Sequence, residues 1–389
     1  MAGNELALVL SGGGARAAYQ AGLLKGIAEQ FPELEVSILT GVSAGAINAL
    51  YLAAQPGPFG AVVDGLTRHW GGLSPEQVFR VDLGSLGKNV VRWSARLLSG
   101  GMRGAPQVRG LVDTAPLRAF LQRALGVGDE PIPGIDRNLE EGRLKAVALI
   151  TTSYSTGQSV AWVQGRDITL WERPHRRSRK ARLTVEHAMA SAALPLFFPA
   201  IRLGDEWYGD GGVRLAAPLS PALHLGASRI LAVSTRYARS TDEADRPTIS
   251  RYPPPAQVAG LLLNAVFLDL IDQDALRLER MNRLLEKLPE EDRDGLRIVD
   301  LMVLRPSRDL GRLARDYEPR LPGAFRFMTR GLGTRETESP DALSLIMFQE
   351  DYLDRLIEIG YEDAHARADE IGAFLAGERL ARATTGVGG

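Results

Sequence analysis

The chain of 389 residues contains no cysteine and only five histidines. Without cysteine there is no disulfide framework, no thiolate nucleophile and no cysteine-ligated metal site, which fits a reducing compartment. The charge is also nearly balanced, with 46 basic and 47 acidic residues, so no global field marks nucleic acid as a partner. Reactive groups must therefore come from serine, aspartate, glutamate, histidine or lysine.

Long apolar runs are missing as well. The first residues lead directly into the strand-like Leu6–Leu10, without a basic segment followed by a long apolar one, so no secretory signal peptide is predicted. The longest uncharged stretch, residues 36–63, is interrupted by glycine, asparagine and proline, and we interpret it as strand, turn and helix instead of a membrane span. The expected location is cytoplasmic.

Short apolar strands alternate with glycine turns and helices in the first part of the chain. Leu6–Leu10 is all apolar and precedes three glycines, a pattern typical of a buried strand that ends in a tight turn. The next helix carries an apolar stripe at i, i+3, i+4 and i+7 from Leu24, and residues 36–39 and Ala44–Ala54 repeat the strand and helix. This repetition predicts an α/β fold with a central, mostly parallel sheet.

The remaining pattern predicts one α/β core at residues 1–305 and a helical extension at residues 306–389. Further strands are expected at residues 145–151, 159–163, 229–234 and 297–304. Residues 59–142, rich in glycine and arginine, are interpreted as a lid-like insertion, and residues 241–255 as an exposed loop. Helices are expected at residues 342–359 and 362–380, packed on the core, with a flexible tail from about residue 384.

Ser43 stands in a G-x-S-x-G motif, between an apolar strand and a helix. A nucleophile elbow turns sharply from strand to helix and holds its serine in an unfavourable backbone conformation, so the neighbouring residues must be small. Gly41, Ala44 and Gly45 meet that requirement, and the first amides of the helix favour negative charge near Ser43. In a chain with 42 glycines, a G-x-S-x-G match arises easily by chance. The position of this motif between a strand and a helix is therefore the stronger indication of a nucleophile.

A second glycine motif, Gly12-Gly13-Gly14-Ala15-Arg16, ends the neighbouring strand. Glycines permit backbone conformations that direct several amides into one space, as an oxyanion hole requires. Arg16 would stabilise this turn or reach an anionic group. The alternative is an ordinary glycine turn between a strand and a helix.

Asp210 lies between glycines, in the motif Gly209-Asp210-Gly211-Gly212, after a predicted hairpin at residues 200–208. Aspartate followed by glycine is most often a turn. As a catalytic base, Asp210 would take the proton of Ser43 and return it to the leaving alkoxide. Because an aspartate in water has a pKa of about 3.9, this role requires partial burial and a directed hydrogen bond from the serine.

Two other functions stay open from the residues alone. Gly12, Gly14 and Ala17 match the dinucleotide pattern G-x-G-x-x-A, but the second strand ends without an acidic residue to hold a ribose. A Ser-His-Asp triad esterase would use a histidine after the elbow, either His224 or His365. A non-catalytic nucleotide- or lipid-binding protein is the further alternative.

The order of glycine-rich loop, GVSAG and DGG about 165 residues later resembles the patatin-like phospholipase family. The resemblance covers about residues 5–235 and includes the segment 190–199 before the aspartate. It implies a three-layer α/β/α fold, a Ser43/Asp210 dyad, an oxyanion hole from the glycine loop, and hydrolysis of acyl esters in lipids without a cofactor or metal. The chain departs from the family at Ala17, where glycine is usual.

Two segments are candidates for contact with lipid. Residues 260–271 are strongly apolar, which is typical of a core helix or of an acyl-channel lining. Residues 173–182 hold six basic residues, which favours either a solvated loop or contact with anionic headgroups. The expected partners are therefore a lipid or acyl-ester substrate and, at the periphery, an anionic membrane, while the sequence does not predict an oligomeric state.

Overall fold

A computed structural model describes residues 5–80, 110–245, 258, 261–262, 270–321 and 341–378. Its central feature is a mixed β-sheet. The strands of this sheet are β1 (Leu6–Leu10), β2 (Ile38–Val42), β3 (Ala146–Ser153), β4 (Ser159–Gly165), β5 (Glu172–Arg173), β6 (Arg176–Lys180), β7 (Ile201–Leu203), β8 (Glu206–Asp210), β9 (Arg229–Val233) and β10 (Asp300–Leu304).

Helices connect and cover these strands. The α-helices of the described residues are α1 (Ala18–Gln30), α2 (Ala44–Ala54), α3 (Phe59–Gly71), α4 (Pro75–Val78), α5 (Ala115–Leu125), α6 (Pro133–Glu140), α7 (Val185–Ser191), α8 (Ser220–His224), α9 (Thr241–Ala244), α10 (Leu270–Leu285), α11 (Leu310–Tyr317), α12 (Asp341–Ile346), α13 (Glu350–Ala366) and α14 (Ala368–Leu375). Short 3-10 helices lie at Gly14–Ala17, Gly211–Arg214, Glu290–Asp292 and Glu318–Arg320.

The middle of the sheet is parallel, in the order β10-β9-β1-β2-β3. β1, β2 and β3 are buried along their whole length because helices cover both faces of the sheet, and this explains their continuous apolar composition. β4 joins β3 in antiparallel pairing, and β6 and β5 complete that edge. The predicted α/β fold with a central, mostly parallel sheet is confirmed.

Alternating side chains of the strands enter two cores. Leu8 and Leu39 pack in the larger core with α1 and α2, whereas Ala7 and Ile38 pack in the smaller core on the other face. The smaller core is closed by α8 and α10. The molecule therefore has three layers, and the parallel strands bring their carboxyl ends together at one edge, where α/β proteins place their ligands.

β8 extends the path of β2 along β3. Val42, the last residue of β2, pairs with Ile150 of β3, and Asp210, the last residue of β8, pairs with the following Thr151. Since β4 occupies the other side of β3, β2 and β8 approach each other end to end on the same side. This register brings the chain after Val42 close to Asp210.

The C-terminal helix α13 packs directly on α1. A Cβ atom at Gly22 would lie 1.9 Å from the carbonyl oxygen of Ile357, and one at Gly360 would lie 2.2 Å from that of Tyr19. Glycines on both helices thus allow the backbones to approach closely, and the tyrosine ring beside them is fully buried. The helical character predicted for this part of the chain is present.

Several predicted element boundaries differ from the structure. The second strand begins at Ile38 instead of residue 36. The helix predicted at residues 342–359 is interrupted after Ile346, resumes at Glu350 and continues to Ala366. Residues 347–349 are not helical, and Gln349 directly precedes the restart at Glu350. Most of residues 246–269, the segment 81–109 of the predicted lid, and the predicted tail lie outside the described residues.

Candidate active site

Ser43 occupies the turn between β2 and α2 in a strained conformation, with φ 57° and ψ −131°. This conformation costs free energy for a residue with a side chain and is typical of a nucleophile elbow. A Cβ atom at Gly41 would lie 2.3 Å from the carbonyl oxygen of Gly45, and one at Gly45 would lie 2.3 Å from that of Ser11. Only glycine fits these two positions, as the motif predicts.

Ser191 is a site residue that the sequence analysis did not identify. The backbone amide of Ser43 donates a hydrogen bond to the hydroxyl of Ser191 at 3.0 Å, and that hydroxyl donates to the carbonyl oxygen of Ile150 at 2.5 Å. Ser191 is fully buried at the end of α7 and fixes the elbow to β3. Its position in the segment 190–199, already noted for its resemblance, was the available signal.

Asp210 is fully buried at the end of β8. Its Oδ1 accepts a hydrogen bond from the Gly212 amide at 2.9 Å, while Oδ2 has no aligned hydrogen bond to a described residue. Burial raises the pKa of Asp210 to about 7, and the hydroxyl of Ser43, followed by the Gly212 amide, opposes that rise as hydrogen-bond donors. The Ser43 hydroxyl is therefore within reach of the carboxyl, although it is not aligned on Oδ2.

The glycine loop lies against Ser43. A Cβ atom at Gly12 would approach the Cβ of Ser43 to 3.0 Å, and Gly13 and Gly14 line the same pocket as Ser43. Gly13 has φ 149° and Gly14 has φ 54°, conformations that favour glycine. No described residue accepts a hydrogen bond from the amides of these two glycines, so both remain available to a ligand.

Arg16 makes its contacts away from the oxyanion position. Its amide donates to the carbonyl oxygen of Gly13, and its Nε and Nη2 donate to Ser344 and Asp341 of α12. These contacts fit the first role expected for Arg16, stabilisation of the turn, and contact with an anionic group stays a prediction. Ala17, the departure from the family pattern, has an ordinary helical φ of −69°, so alanine fits that position without strain.

The two histidines considered for a triad have other partners. The ring of His224 stacks on Trp171, and Nδ1 of His365 contacts the carbonyl oxygen of Tyr361. His187 is buried against Trp162, and burial lowers its pKa to about 4. His69 lines the same pocket as Ser43, where it contacts aromatic rings and burial lowers its pKa.

An apolar pocket extends from Ser43. Its walls come from α2, α3, α5, the loop after α7 and the segment around α12. Of these, α3 and α5 belong to the predicted lid-like insertion at residues 59–142, so that insertion forms part of the pocket wall. Such a pocket suits a hydrocarbon chain, because it offers few polar partners. The lining residues include Leu50, Leu66, Trp70, Leu117, Phe120, Leu121, Leu194, Phe198, Leu345, Ile346 and Phe348.

The basic segment predicted at residues 173–182 forms the edge strands β5 and β6. Arg177 and Arg179 pair with Glu206, the first residue of β8, and Arg182 pairs with Asp136. Part of the positive charge is thus neutralised by carboxylates of the same chain. In the part of the chain that the structure describes, no helix is long and apolar enough to cross a membrane.

Comparison with known proteins assigns the family. The family model for patatin-like phospholipase matches residues 8–223, more than half of the chain, and the protein belongs to this family of lipid hydrolases. The match contains the glycine loop, the serine elbow and the segment around Asp210. A search of curated proteins gave no match.

Three solved structures align with most of the chain at low sequence identity. VipD from Legionella pneumophila is 14% identical, with a TM-score of 0.33, and the alignment covers 91% of this chain and 67% of VipD. Human GIVD cytosolic phospholipase A2 in complex with methyl gamma-linolenyl fluorophosphonate is 14% identical, with a TM-score of 0.46 and coverages of 96% and 59%. The ExoU–SpcU complex of the Pseudomonas aeruginosa type III secretion system is 16% identical, with a TM-score of 0.27 and coverages of 95% and 76%. The chain thus spans 59% of the human chain.

Proposed function

We propose that the protein is a serine acyl-ester hydrolase that acts on lipids, as a lipase, phospholipase A or lysophospholipase, with Ser43 as nucleophile and Asp210 as its base. One observation carries the proposal: the buried carboxyl ends the strand that meets the serine elbow end to end. A buried acid and a strained serine both lower the stability of the fold. Such unfavourable features cluster at catalytic sites, where they serve the reaction.

The reaction begins with attack of the Ser43 hydroxyl oxygen on the ester carbonyl carbon, while Asp210 takes the hydroxyl proton. The amides of Gly13 and Gly14, which have no described acceptor, stabilise the oxyanion that forms. The carbon–oxygen bond to the alcohol then breaks, and Asp210 returns its proton to the leaving alkoxide. In the second half, Asp210 takes a proton from water as the water oxygen attacks the carbonyl carbon of the acyl-serine. The bond between that carbon and the Ser43 oxygen then breaks, Asp210 returns the proton to Ser43, and the fatty acid leaves.

The raised pKa of Asp210 suits this role. With a pKa of about 7, the carboxylate is a stronger base than an exposed aspartate and is still substantially ionised at neutral pH. The apolar pocket beside Ser43 accommodates the acyl chain, since its walls are formed by leucine and phenylalanine side chains. The headgroup would then lie outside the pocket.

Substitution of the two residues tests the assignment. We expect Ser43→Ala and Asp210→Asn each to reduce hydrolysis of medium-chain p-nitrophenyl esters by at least about 10³-fold, with the folded state retained. Ser155→Ala and Asp205→Asn, at exposed positions, are matched controls and should keep wild-type rates. Full activity in either site variant would refute the dyad, and a wild-type protein that no fluorophosphonate labels at Ser43 would favour a non-catalytic lipid-binding protein.

Contact with an anionic membrane is the second part of the proposal. Trp207 is 44% exposed and lies three residues before Asp210, and Leu196 is 67% exposed in the loop after α7. Tryptophan and leucine insert into the lipid interface, and the neighbouring basic strand β6 would attract anionic headgroups. Sedimentation with phosphatidylglycerol vesicles should exceed that with phosphatidylcholine vesicles and fall in Trp207→Ser; equal sedimentation with both lipids would contradict it.

A further inference from the structure

The glycine loop is anchored by a helix from the far end of the chain. Arg16 follows the loop, is 3% exposed, and forms an ion pair with Asp341 of α12 at 2.5 Å. The Nε of Arg16 also donates to the hydroxyl of Ser344 at 2.7 Å, and that hydroxyl donates to the carbonyl oxygen of Asp341 at 2.6 Å. One guanidinium is thus held by two side chains of one helical turn.

The backbone of the loop also touches α12. A Cβ atom at Gly14 would lie 1.9 Å from the carbonyl oxygen of Leu345, so the two backbones are in direct contact. The side chains of Leu345, Ile346 and Phe348 continue from this contact into the wall of the pocket beside Ser43. The same short segment therefore borders both the loop and the pocket.

The ion pair lies where its effect on the loop should be large. The side chain of Arg16 is 4% exposed and that of Asp341 is 15% exposed, so loss of one partner would leave the other charge poorly solvated. The amide of Arg16 donates to the carbonyl oxygen of Gly13, which links the anchored residue to the peptide unit between Gly13 and Gly14. A displaced Arg16 would thus displace the amide of Gly14.

We propose that Asp341 and Ser344 are positioning residues of the active site, which hold Arg16 and through it direct the Gly13 and Gly14 amides toward the reacting carbonyl. This inference rests on the proposed acyl-hydrolase function. Both residues lie beyond residue 223, where the family match ends, so in this chain the oxyanion loop depends on a segment outside the matched domain. An oxyanion hole tolerates displacements of only about 0.5 Å, which is why such an anchor affects the rate.

The decisive experiment compares two isosteric substitutions in neighbouring helices. Asp341→Asn removes the charge that holds Arg16, whereas Asp351→Asn breaks the exposed pair of Asp351 with Arg320 and leaves the loop untouched. We expect kcat for a p-nitrophenyl ester to fall about 10- to 100-fold in Asp341→Asn, with KM changed less than about threefold, because the oxyanion forms only after substrate binds. Asp351→Asn should keep the wild-type kcat and KM.

Milder substitutions keep the test informative if Asp341→Asn folds poorly. Ser344→Ala keeps the ion pair and should lower kcat by about two- to tenfold, and Asp341→Glu restores the charge and should recover most of the rate lost in Asp341→Asn. Hydrogen exchange adds a readout without substrate. Among residues 13–17, the amide of Arg16, which donates to Gly13, should exchange faster in Asp341→Asn and at the wild-type rate in Asp351→Asn.

Two results would overturn the anchor. One is a wild-type kcat in folded Asp341→Asn with unchanged exchange at residues 13–17; the other is equal loss of kcat in Asp341→Asn and Asp351→Asn, in proportion to the unfolded fraction. Failure of the hydrolase proposal is recognised separately, since wild-type protein would then hydrolyse no ester, while the exchange comparison would still report on the anchor.

Discussion

The part of the chain within the family match and the part after it contribute to the site in opposite ways. Within residues 8–223 lie Ser43 at φ 57°, the glycine loop with Gly13 and Gly14 at positive φ, and the fully buried Asp210. The later helices α12 and α13 supply none of these groups. They contribute a buried ion pair, a backbone contact with Gly14 and a wall of the pocket.

The groups proposed to react and the contacts that hold them in place thus come from different parts of the chain. Strained backbone and a buried acid are unfavourable for folding, so they persist only where the surrounding structure stabilises them. The close packing of α13 on α1 and the anchoring of Arg16 by α12 are such stabilising features, and in both the supporting helix lies beyond the family match. The comparison predicts that, outside the proposed dyad, a change at the boundary between the two parts lowers activity most.

Gly14 lies at that boundary, and outside the proposed dyad Gly14→Ala is expected to have the largest effect. Its φ of 54° disfavours alanine, and the new Cβ atom would lie 1.9 Å from the carbonyl oxygen of Leu345, so the loop or α12 must move. We expect kcat/KM for a short ester to fall about 10²- to 10³-fold, corresponding to about 3–4 kcal/mol. Gly57→Ala is the matched control, since its φ is 106° and no atom lies near; an equal loss in both variants would show that contact with α12 is unimportant.

The next expected effect concerns the free energy of unfolding at the buried acid. The pKa of Asp210 is about 7 in the folded protein and about 3.9 in an unfolded chain, so the folded state binds more protons between these values and loses stability as pH rises through them. Asp210→Asn should therefore be more stable than wild type at pH 8, by roughly 2–4 kcal/mol, and similar to it near pH 4.

Urea unfolding at the two pH values measures this effect. Asp205→Asn, at a fully exposed position in the same hairpin, should follow the wild-type dependence on pH. If Asp210→Asn were no more stable than wild type at pH 8, burial of the ionised carboxylate would not destabilise the fold. The difference between the two parts of the chain would then be smaller.

The sequence predicted the candidate nucleophile because the features of an elbow are local. A strained serine needs small neighbours at fixed positions, and the spacing of Gly41 and Gly45 around Ser43 is therefore enough to identify the elbow. The approach of Asp210 was expected only from the resemblance to the family, because it depends on the long-range pairing of β8 beside the end of β2.

The supporting contacts are not local, and the sequence could not predict them. Arg16 and Asp341 are separated by 325 residues, and nothing in their neighbourhoods indicates that they pair. Ser191 lies in the segment 190–199 noted for its resemblance, but nothing in that segment indicates that its hydroxyl joins the amide of Ser43 to β3. The interruption between Ile346 and Glu350 was missed because both sides of it have helical periodicity, and tertiary packing decides where one helix ends.

The pH dependence of kcat/KM is expected to be smaller than the stability effect at Asp210. It corresponds to about 1.4 kcal/mol of activation free energy for each pH unit. Since the mechanism needs ionised Asp210 and its pKa is about 7, kcat/KM for a neutral ester should fall about tenfold per unit below that value and level off above it. Initial rates of p-nitrophenyl butyrate hydrolysis from pH 5 to 9 measure this. The acidic limb should persist in His69→Gln; its loss there would make this pocket histidine the base and not Asp210.

The smallest expected effect compares the two walls of the pocket. Leu121 of α5 belongs to the matched domain and Ile346 of α12 to the later part, and both line the pocket beside Ser43. If both walls contact the acyl chain, Leu121→Phe and Ile346→Phe should each lower the rate ratio of dodecanoyl to butanoyl p-nitrophenyl ester by about three- to tenfold, or up to about 1.4 kcal/mol. Leu284→Phe, at a 58% exposed position of α10, should leave the ratio unchanged. A shift in Leu121→Phe alone would confine chain recognition to the matched domain and leave α12 only its contact with the glycine loop.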